Sequence, residues 1–303
     1  MNTTHWIAID WGTTNFRAFL IDGAGAVTAR TAESLGLLQV KDRDFAGTLA
    51  RLLQPWLASN PQLPVLMAGM VGSRNGWLEV PYMSTPCALS ALARHVVTVP
   101  WQARALIIPG ITGMSLGGQP DVMRGEEVQL LGLTQLQTRP HCTAILPGTH
   151  SKHAQLVGDT LQSFATFMTG ELFSLLSKHS ILGRGLPPQT DDESAFVSGV
   201  LAARKDPELS RLLFSVRTRL LAGLLPAPAV HSYLSGLLLG AELAGLPADT
   251  HAWVIGAPAL CERYQLAAQH LGMQLEFADG DDCFIAGMRH LHSLLEPVTG
   301  SCS

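Results

Sequence analysis

Trp6-Ile7-Ala8-Ile9-Asp10-Trp11-Gly12-Thr13-Thr14-Asn15-Phe16-Arg17-Ala18-Phe19-Leu20-Ile21-Asp22 reads as strand, tight turn, strand. Ile7, Ala8 and Ile9 lead to Asp10, and Gly12-Thr13-Thr14-Asn15 then supplies a turn whose backbone N–H groups and hydroxyls can surround an anion. Ala18, Leu20 and Asp22 share one face of the return strand. A carboxylate at a strand end beside such a turn points to a phosphate site with a magnesium ion. The same pattern also suits a plain structural hairpin with one Asp at its end.

A second stretch, Cys142-Thr143-Ala144-Ile145-Leu146-Pro147-Gly148-Thr149-His150-Ser151-Lys152-His153-Ala154-Gln155-Leu156-Val157-Gly158, lies on the first without a gap. Ala144, Ile145, Gly148, Thr149, Ala154 and Leu156 fall opposite Ala8, Ile9, Gly12, Thr13, Ala18 and Leu20, whereas Asp10 is matched by Leu146. A repeated Gly-Thr hairpin, acidic in one copy and carrying Lys152 in the other, suits a split site that holds a nucleotide's phosphates from both sides. The match is short, and chance similarity between two hairpins stays open.

The 303 residues suffice for two domains, and 47% hydrophobic with 15% charged content is that of a folded globular chain. A formal charge of -4 without any Lys/Arg run argues against a nucleic-acid partner. The N-terminus lacks a basic n-region, and the longest apolar stretch, Leu234 to Leu246, is short for a bilayer and contains Glu242, so no membrane association is expected. Five cysteines with no C-x-x-C pair fit reduced thiols in a cytoplasm.

Along the chain, the spacing predicts a helix over 44–58 capped by Asp44, a strand at 64–68, a helix over 88–97, a strand at 105–108 and a glycine-rich loop ending near Pro120. A helix then starts after Asp121 or Arg124-Gly125 with Glu126 and Glu127 in its first turn, where the macrodipole favours negative charge. Beyond the second hairpin come a strand at 163–168, a helix opened by Thr169-Gly170-Glu171, and helices over 192–204, 207–222 and 228–245 that read as core without chemistry. A strand at 253–255 runs through Gly256-Ala257-Pro258 into a helix, followed by a strand at 273–277 and a final helix from 282. His150 and His153, near His141 and Cys142, invite a zinc reading, but they lack a paired motif elsewhere and belong to the hairpin.

These motifs resemble those of the sugar kinases of the actin-like ATPase superfamily. Asp10-Trp11-Gly12-Thr13-Thr14-Asn15 is similar to the first phosphate motif, Pro147 to Lys152 to the second, and Val254-Ile255-Gly256-Ala257-Pro258 to the adenosine motif. More narrowly, Met67 to Ser73 with Trp77, Met123-Arg124-Gly125-Glu126-Glu127, Pro147-Gly148-Thr149-His150 with Lys152, and Met168 to Glu171 resemble the 2-dehydro-3-deoxygalactonokinase family over nearly the whole chain.

The resemblance implies an α/β, two-domain actin-like ATPase (duplicated ribonuclease H-like) sugar kinase fold with a central cleft. It divides the chain into residues 1–122, completed by the C-terminal helix 282–303, and residues 123–281. It also implies transfer of the ATP γ-phosphoryl group to the C6 hydroxyl of 2-dehydro-3-deoxy-D-galactonate in galactonate breakdown.

ATP and Mg²⁺ are then the cofactors. Asp10 is expected to hold the metal, and Gly12, Thr13, Thr14, Asn15, Gly148, Thr149, His150, Lys152, Gly256 and Ala257 the nucleotide. Gly125-Glu126-Glu127 matches a Gly-Asp-Gln segment whose Asp is the base in related kinases, and Glu126 is taken as that base, with Glu127 the other option. The sugar acid is assigned to Trp11, Gly69, Met70, Gly72, Ser73, Trp77 and Arg124.

Arg17 and Lys152 belong to the phosphate hairpins, so Arg124 is expected at the substrate carboxylate, an ion pair with Glu126 being the alternative. Another sugar or sugar acid as substrate, and a non-catalytic ATP-binding scaffold or regulator, are the competing readings. A homodimer is compatible with any of them.

Overall fold

The computed structural model describes residues 5–101, 104–115, 117–137, 139–206 and 208–295. Trp6–Trp11 (β1), Phe16–Ile21 (β2) and Val27–Glu33 (β3) form an antiparallel run, with Asp10 opposite Arg17. Asp44 caps Phe45–Leu52 (α1), accepting the Gly47 N–H at 2.8 Å. The helix expected to reach residue 58 breaks at Leu53, because Pro55 has no N–H for the ladder, and resumes as Gln54–Leu57 (α2). Val65–Ala68 (β4) follows.

Residues 88–97 do not form the expected α-helix. After Met83–Ser84 (β5) and Cys87–Ala88 (β6), a 3₁₀ segment spans Leu89–His95 and leads into Val97–Thr98 (β7). Leu89 and Leu92, three apart and buried, suit the three-residue period of that helix. Ala105–Ile107 is β8. The expected loop up to Pro120 is largely a hairpin, Ile111–Met114 (β9) against Pro120–Met123 (β10), whose backbone groups pair along the ladder.

Glu126–Leu136 is α3, and His141–Leu146 (β11) and Ser151–Val157 (β12) flank the second turn. Then come Thr160–Phe167 (β13), Thr169–His179 (α4), Glu193–Lys205 (α5), Leu209–Leu221 (α6) and Val230–Leu243 (α7). His251–Gly256 (β14), Pro258–Leu271 (α8), Gln274–Asp279 (β15) and Gly280–Leu295 (α9) complete the fold. The remainder of the expected C-terminal helix, 296–303, lies outside the described residues.

One sheet runs β3-β2-β1-β4-β8-β7, and another runs β15-β14-β11-β12-β13-β6. Reading the second from β13, its order β13-β12-β11-β14-β15 repeats β3-β2-β1-β4-β8, with β11, β14 and β15 parallel as β1, β4 and β8 are. The repeat suggested by the hairpins therefore extends to five of the six strands of each sheet, and the turn after the middle strand of each five is Gly12–Asn15 or Pro147–His150.

Two compact units follow, one of residues 1–141, 155–164 and 281–303, the other of 142–154 and 165–280. The contact division falls after α3. The first unit's core joins Ile7, Ile9 and Trp11 to Leu49, Met67 and Ile107, and the second unit's joins Ile145 and Val254 to Phe196, Leu239 and Tyr264.

The reason α3 stays with the first unit is its contact with α9. A Cβ on Gly132 would lie 1.6 Å from the Cys283 carbonyl oxygen, and one on Gly287 would lie 2.1 Å from that of Val128. Gly132→Ala is accordingly expected to lower unfolding free energy by about 3 kcal/mol in a urea titration, since backbone must move to admit the methyl. A loss under about 0.5 kcal/mol would mean that the helices do not approach so closely.

Candidate active site

In the first unit, β1 delivers Asp10 to the sheet's end and Gly12–Asn15 closes the turn, Gly12 N–H donating to the Asn15 carbonyl at 2.9 Å. Thr13, Thr14 and Asn15 are exposed, as a turn that takes up an anion requires. Trp11, expected at the substrate, is instead fully buried, its ring against Phe16 and Phe45 and its Nε1–H donating to the Leu35 carbonyl at 3.1 Å. Successive β residues point to opposite faces, so the neighbour of a site-facing Asp10 enters the core. Trp77 likewise stacks on Phe45 at 6.2 Å and supports the loop from within.

Asp10 is paired with Arg17, whose other guanidinium nitrogen pairs with Asp281 at the start of α9. Arg17, expected to serve the nucleotide, thus links two carboxylates, and Asp281 was missed because an acidic helix start carries no motif. Burial pushes the Asp10 carboxyl above the usual range, Arg17 opposes the shift, and Glu126 and Asp281 add to it. Asp10, Gly12, Thr14, Asn15, Arg17 and Glu33 help line a recess of about 430 Å³.

Gly69 crosses beside Asp10 with φ 96°, and a Cβ there would meet the Trp11 carbonyl oxygen at 2.8 Å. Met70–Gly72 turn once as a 3₁₀ segment, which carries Ser73 inside. Arg124 is 7% exposed. Its Nη2 donates to the Val80 carbonyl at 2.7 Å, and the guanidinium lies 4.2 Å from the Tyr82 ring centre. Arg124 Nε and Nη1 and Ser73 Oγ are buried without a hydrogen-bond partner among the described residues, and a Cβ on neighbouring Gly72 would lie 2.8 Å from Nη1.

Glu126 and Glu127 occupy different settings. Half-buried Glu126 accepts the Arg124 backbone N–H at 3.0 Å, whereas Glu127 is fully buried and accepts the Gly125 N–H at 2.7 Å. Burial, then the neighbouring Glu126 charge, pushes the Glu127 carboxyl up to about 8.

In the second unit, Gly148, Thr149, Thr169, Gly170, Phe173 and Tyr264 help line a pocket of about 440 Å³. A Cβ on Gly170 would sit 2.3 Å from the Gly148 carbonyl oxygen, so the start of α4 rests directly on the turn. His150 pairs with Glu171. Lys152 is buried, its Nζ donating to the His150 carbonyl at 3.3 Å, because β12 has already turned inward at that residue. Gly256, the last residue of β14, and Ala257, the N-cap of α8, do not line the pocket, but α8 contributes Leu260, Arg263 and Tyr264 to it.

A family model described as 2-keto-3-deoxy-galactonokinase matches residues 10–291. The chain belongs to that family. A 2-dehydro-3-deoxygalactonokinase of Escherichia coli K12 is 39% identical over 95% of this chain and 98% of the relative. A crystal structure of a Sinorhizobium meliloti protein of the same description matches with a TM-score of 0.89 at 33% identity, over 97% of this chain and all of that one. The activator of 2-hydroxyisocaproyl-CoA dehydratase from Clostridium difficile, solved with ADPNP, covers 98% of this chain and 100% of its own at TM-score 0.52 and 11% identity. That likeness is one of fold, the actin-like ATPase fold. As a member of the galactonokinase family the chain is a sugar-acid kinase that uses ATP. No helix among its described residues is long and apolar enough to cross a membrane.

Glu127 makes a distinct expectation for this kinase. Its carboxyl sits at about 8 in the fold against an ordinary 4.5, so the folded state retains a proton that the unfolded state gives up between those values. That contribution to stability is present in full below pH 4.5 and is lost as pH rises through about 8. Glu127→Gln should flatten the fall in unfolding free energy over that window, by up to about 1.4 kcal/mol per pH unit. Parallel wild-type and variant profiles would show that Glu127 is ionised in the fold.

Proposed function

We infer that the protein transfers the γ-phosphoryl group of ATP to the C6 hydroxyl of 2-dehydro-3-deoxy-D-galactonate, in galactonate breakdown. The observation that carries this is a family match across residues 10–291, laid on a fold that places a Gly-Thr turn after the central strand of each of two repeated sheets. ADP release dependent on this sugar acid is the decisive measurement. Release that does not depend on any sugar acid would favour the scaffold or regulator instead. Five cysteines with no C-x-x-C pair support a cytoplasmic enzyme, and light scattering would test a homodimer.

In this reading Gly12, Thr13, Thr14 and Asn15 hold phosphate on the first unit, and Gly148, Thr149 and His150 do so on the second, where Gly256 and Ala257, the link from β14 into α8, serve the nucleoside end. The two repeated sheets are the two ATPase domains. Mg²⁺ takes one or two carboxylates with phosphates and water as its remaining ligands, and Asp10 meets that requirement without a cage of protein ligands. When bound, the ion neutralises phosphate charge.

Glu126 is the base. It is half-buried and close enough to raise the Asp10 pKa, whereas Glu127 is sealed off and protonated around neutrality. Glu126 accepts the C6 hydroxyl proton, the freed oxygen bonds to the γ-phosphorus, and the bond to ADP breaks. Gly69, Met70, Gly72, Ser73 and Arg124 form the sugar-acid side, with Trp11 and Trp77 supporting it from the core.

Arg124 supports the acid specificity, since a buried guanidinium whose Nε and Nη1 have no hydrogen-bond acceptor among the described residues suits a carboxylate. Arg124→Lys keeps the charge and loses the fork, so KM for the sugar acid should rise about tenfold with KM for ATP little changed. A kcat collapse at unchanged sugar-acid KM would instead make Arg124 a support of Glu126. Asp10→Asn should cut kcat at saturating Mg²⁺ by about 100-fold or more. Its melting temperature should hold or rise, because burial already disfavours the charge. Wild-type turnover in that variant would remove Asp10 from the mechanism.

A further inference from the structure

The one carboxylate in α7 is Glu242, 3% exposed in a helix otherwise buried through Leu and small residues. Its Oε1 accepts from Ser151 Oγ at 2.7 Å and from His153 Nε2 at 2.8 Å. Its Oε2 accepts from Tyr264 OH at 2.9 Å and from Thr169 Oγ1. A buried carboxylate is costly, and even when fully hydrogen-bonded it often contributes less to stability than an apolar side chain of similar size. Stability alone therefore does not explain it.

Its four donors identify what it does. Ser151 and His153 open β12 directly after the second turn, Thr169 opens α4, and Tyr264 belongs to α8. These are the elements around the second unit's pocket, which Gly148, Thr149, Thr169, Gly170 and Tyr264 line. Slack between them is absent, because Gly170 has no room for a Cβ against the Gly148 carbonyl and the Glu171 N–H donates to the Thr149 carbonyl at 2.9 Å. Any shift of Ser151 or Thr169 is passed to the turn.

We propose that Glu242 is a positioning residue of the nucleotide site, its carboxylate fixing the second turn and the start of α4 in the geometry that receives the phosphates. The proposal rests on the reading that this turn binds nucleotide. Phe173, Leu238, Leu239 and Leu260 line the same pocket with apolar side chains that offer Glu242 no hydrogen-bond donor, so loss of its charge acts on the polar turn before the apolar surface that suits a nucleoside.

Glu242→Gln in the full chain keeps the shape and removes the charge that orients four donors at once. Calorimetric titration without sugar acid should show ATP affinity weakened about tenfold and adenosine affinity within about twofold of wild type. In turnover, KM for ATP should rise by a similar factor while KM for the sugar acid stays within about twofold. A lower melting temperature with both affinities unchanged would make Glu242 purely structural, and equal weakening of ATP and adenosine would also overturn the proposal. Should the variant not fold, Ser151→Ala deletes one donor and leaves the charge, and unchanged ATP affinity in it would be equally fatal. Wild-type protein that binds neither ligand would refute the nucleotide reading and take the proposal with it, an outcome distinct from a wild type that binds both.

Discussion

A carboxylate at the end of a buried strand is met by a cation across the hairpin, and that match links β1, β2 and the start of α9 in the first unit. Ile7, Ala8 and Ile9 have no exposure, so β1 carries Asp10 to its end already stripped of much of its water. Arg17 is its register partner on β2, so the hairpin itself supplies the cation. Arg17 in turn draws in Asp281, which fastens the start of α9 to the sheet. The Gly132 and Gly287 contacts between α3 and α9 then hold Arg124-Gly125-Glu126-Glu127 in the same unit. Chain ends distant in sequence are thus joined by one electrostatic requirement.

The second unit meets the corresponding demand differently. Leu146 stands where the first repeat has Asp10 and simply joins the core. The negative charge comes instead from Glu242, behind the turn, and four donors share it where Arg17 carries the balance in the first unit. The two repeats therefore have the same strand order and different electrostatics. That asymmetry suits the proposed division of labour, in which one turn works with a metal carboxylate and the other only cradles phosphate.

Adjacent residues at the start of α3 show how far burial separates like side chains. Glu127, sealed and holding the Gly125 N–H, keeps a proton near neutrality, while Glu126 stays partly open and charged against it. Arg124 contributes its backbone N–H to Glu126 and its guanidinium to a different place, beside Gly72 and Tyr82. Strand and helix geometry send neighbouring side chains apart, so Arg124, Glu126 and Glu127, three charged or acidic functions within four residues, need not serve one ligand.

The sequence by itself determined the repeated hairpin, the strand–turn–helix order, the Asp44 cap, the acidic start of α3 and the family. All but the family are local patterns, set by period, capping chemistry and turn residues that act over a few positions, while the family was a resemblance carried by several collinear motifs. Only the tertiary structure decided where side chains point. It buried Trp11 and Lys152, turned Arg17 into a bridge between carboxylates, converted residues 88–97 to a 3₁₀ segment and the 110–120 loop to a hairpin, and assembled a network on Glu242. The presence of Glu242 inside an apolar stretch was legible as an anomaly, yet its partners lie 22 to 91 residues away. Desolvation and hydrogen bonding between such distant residues depend on packing, which local pattern does not encode.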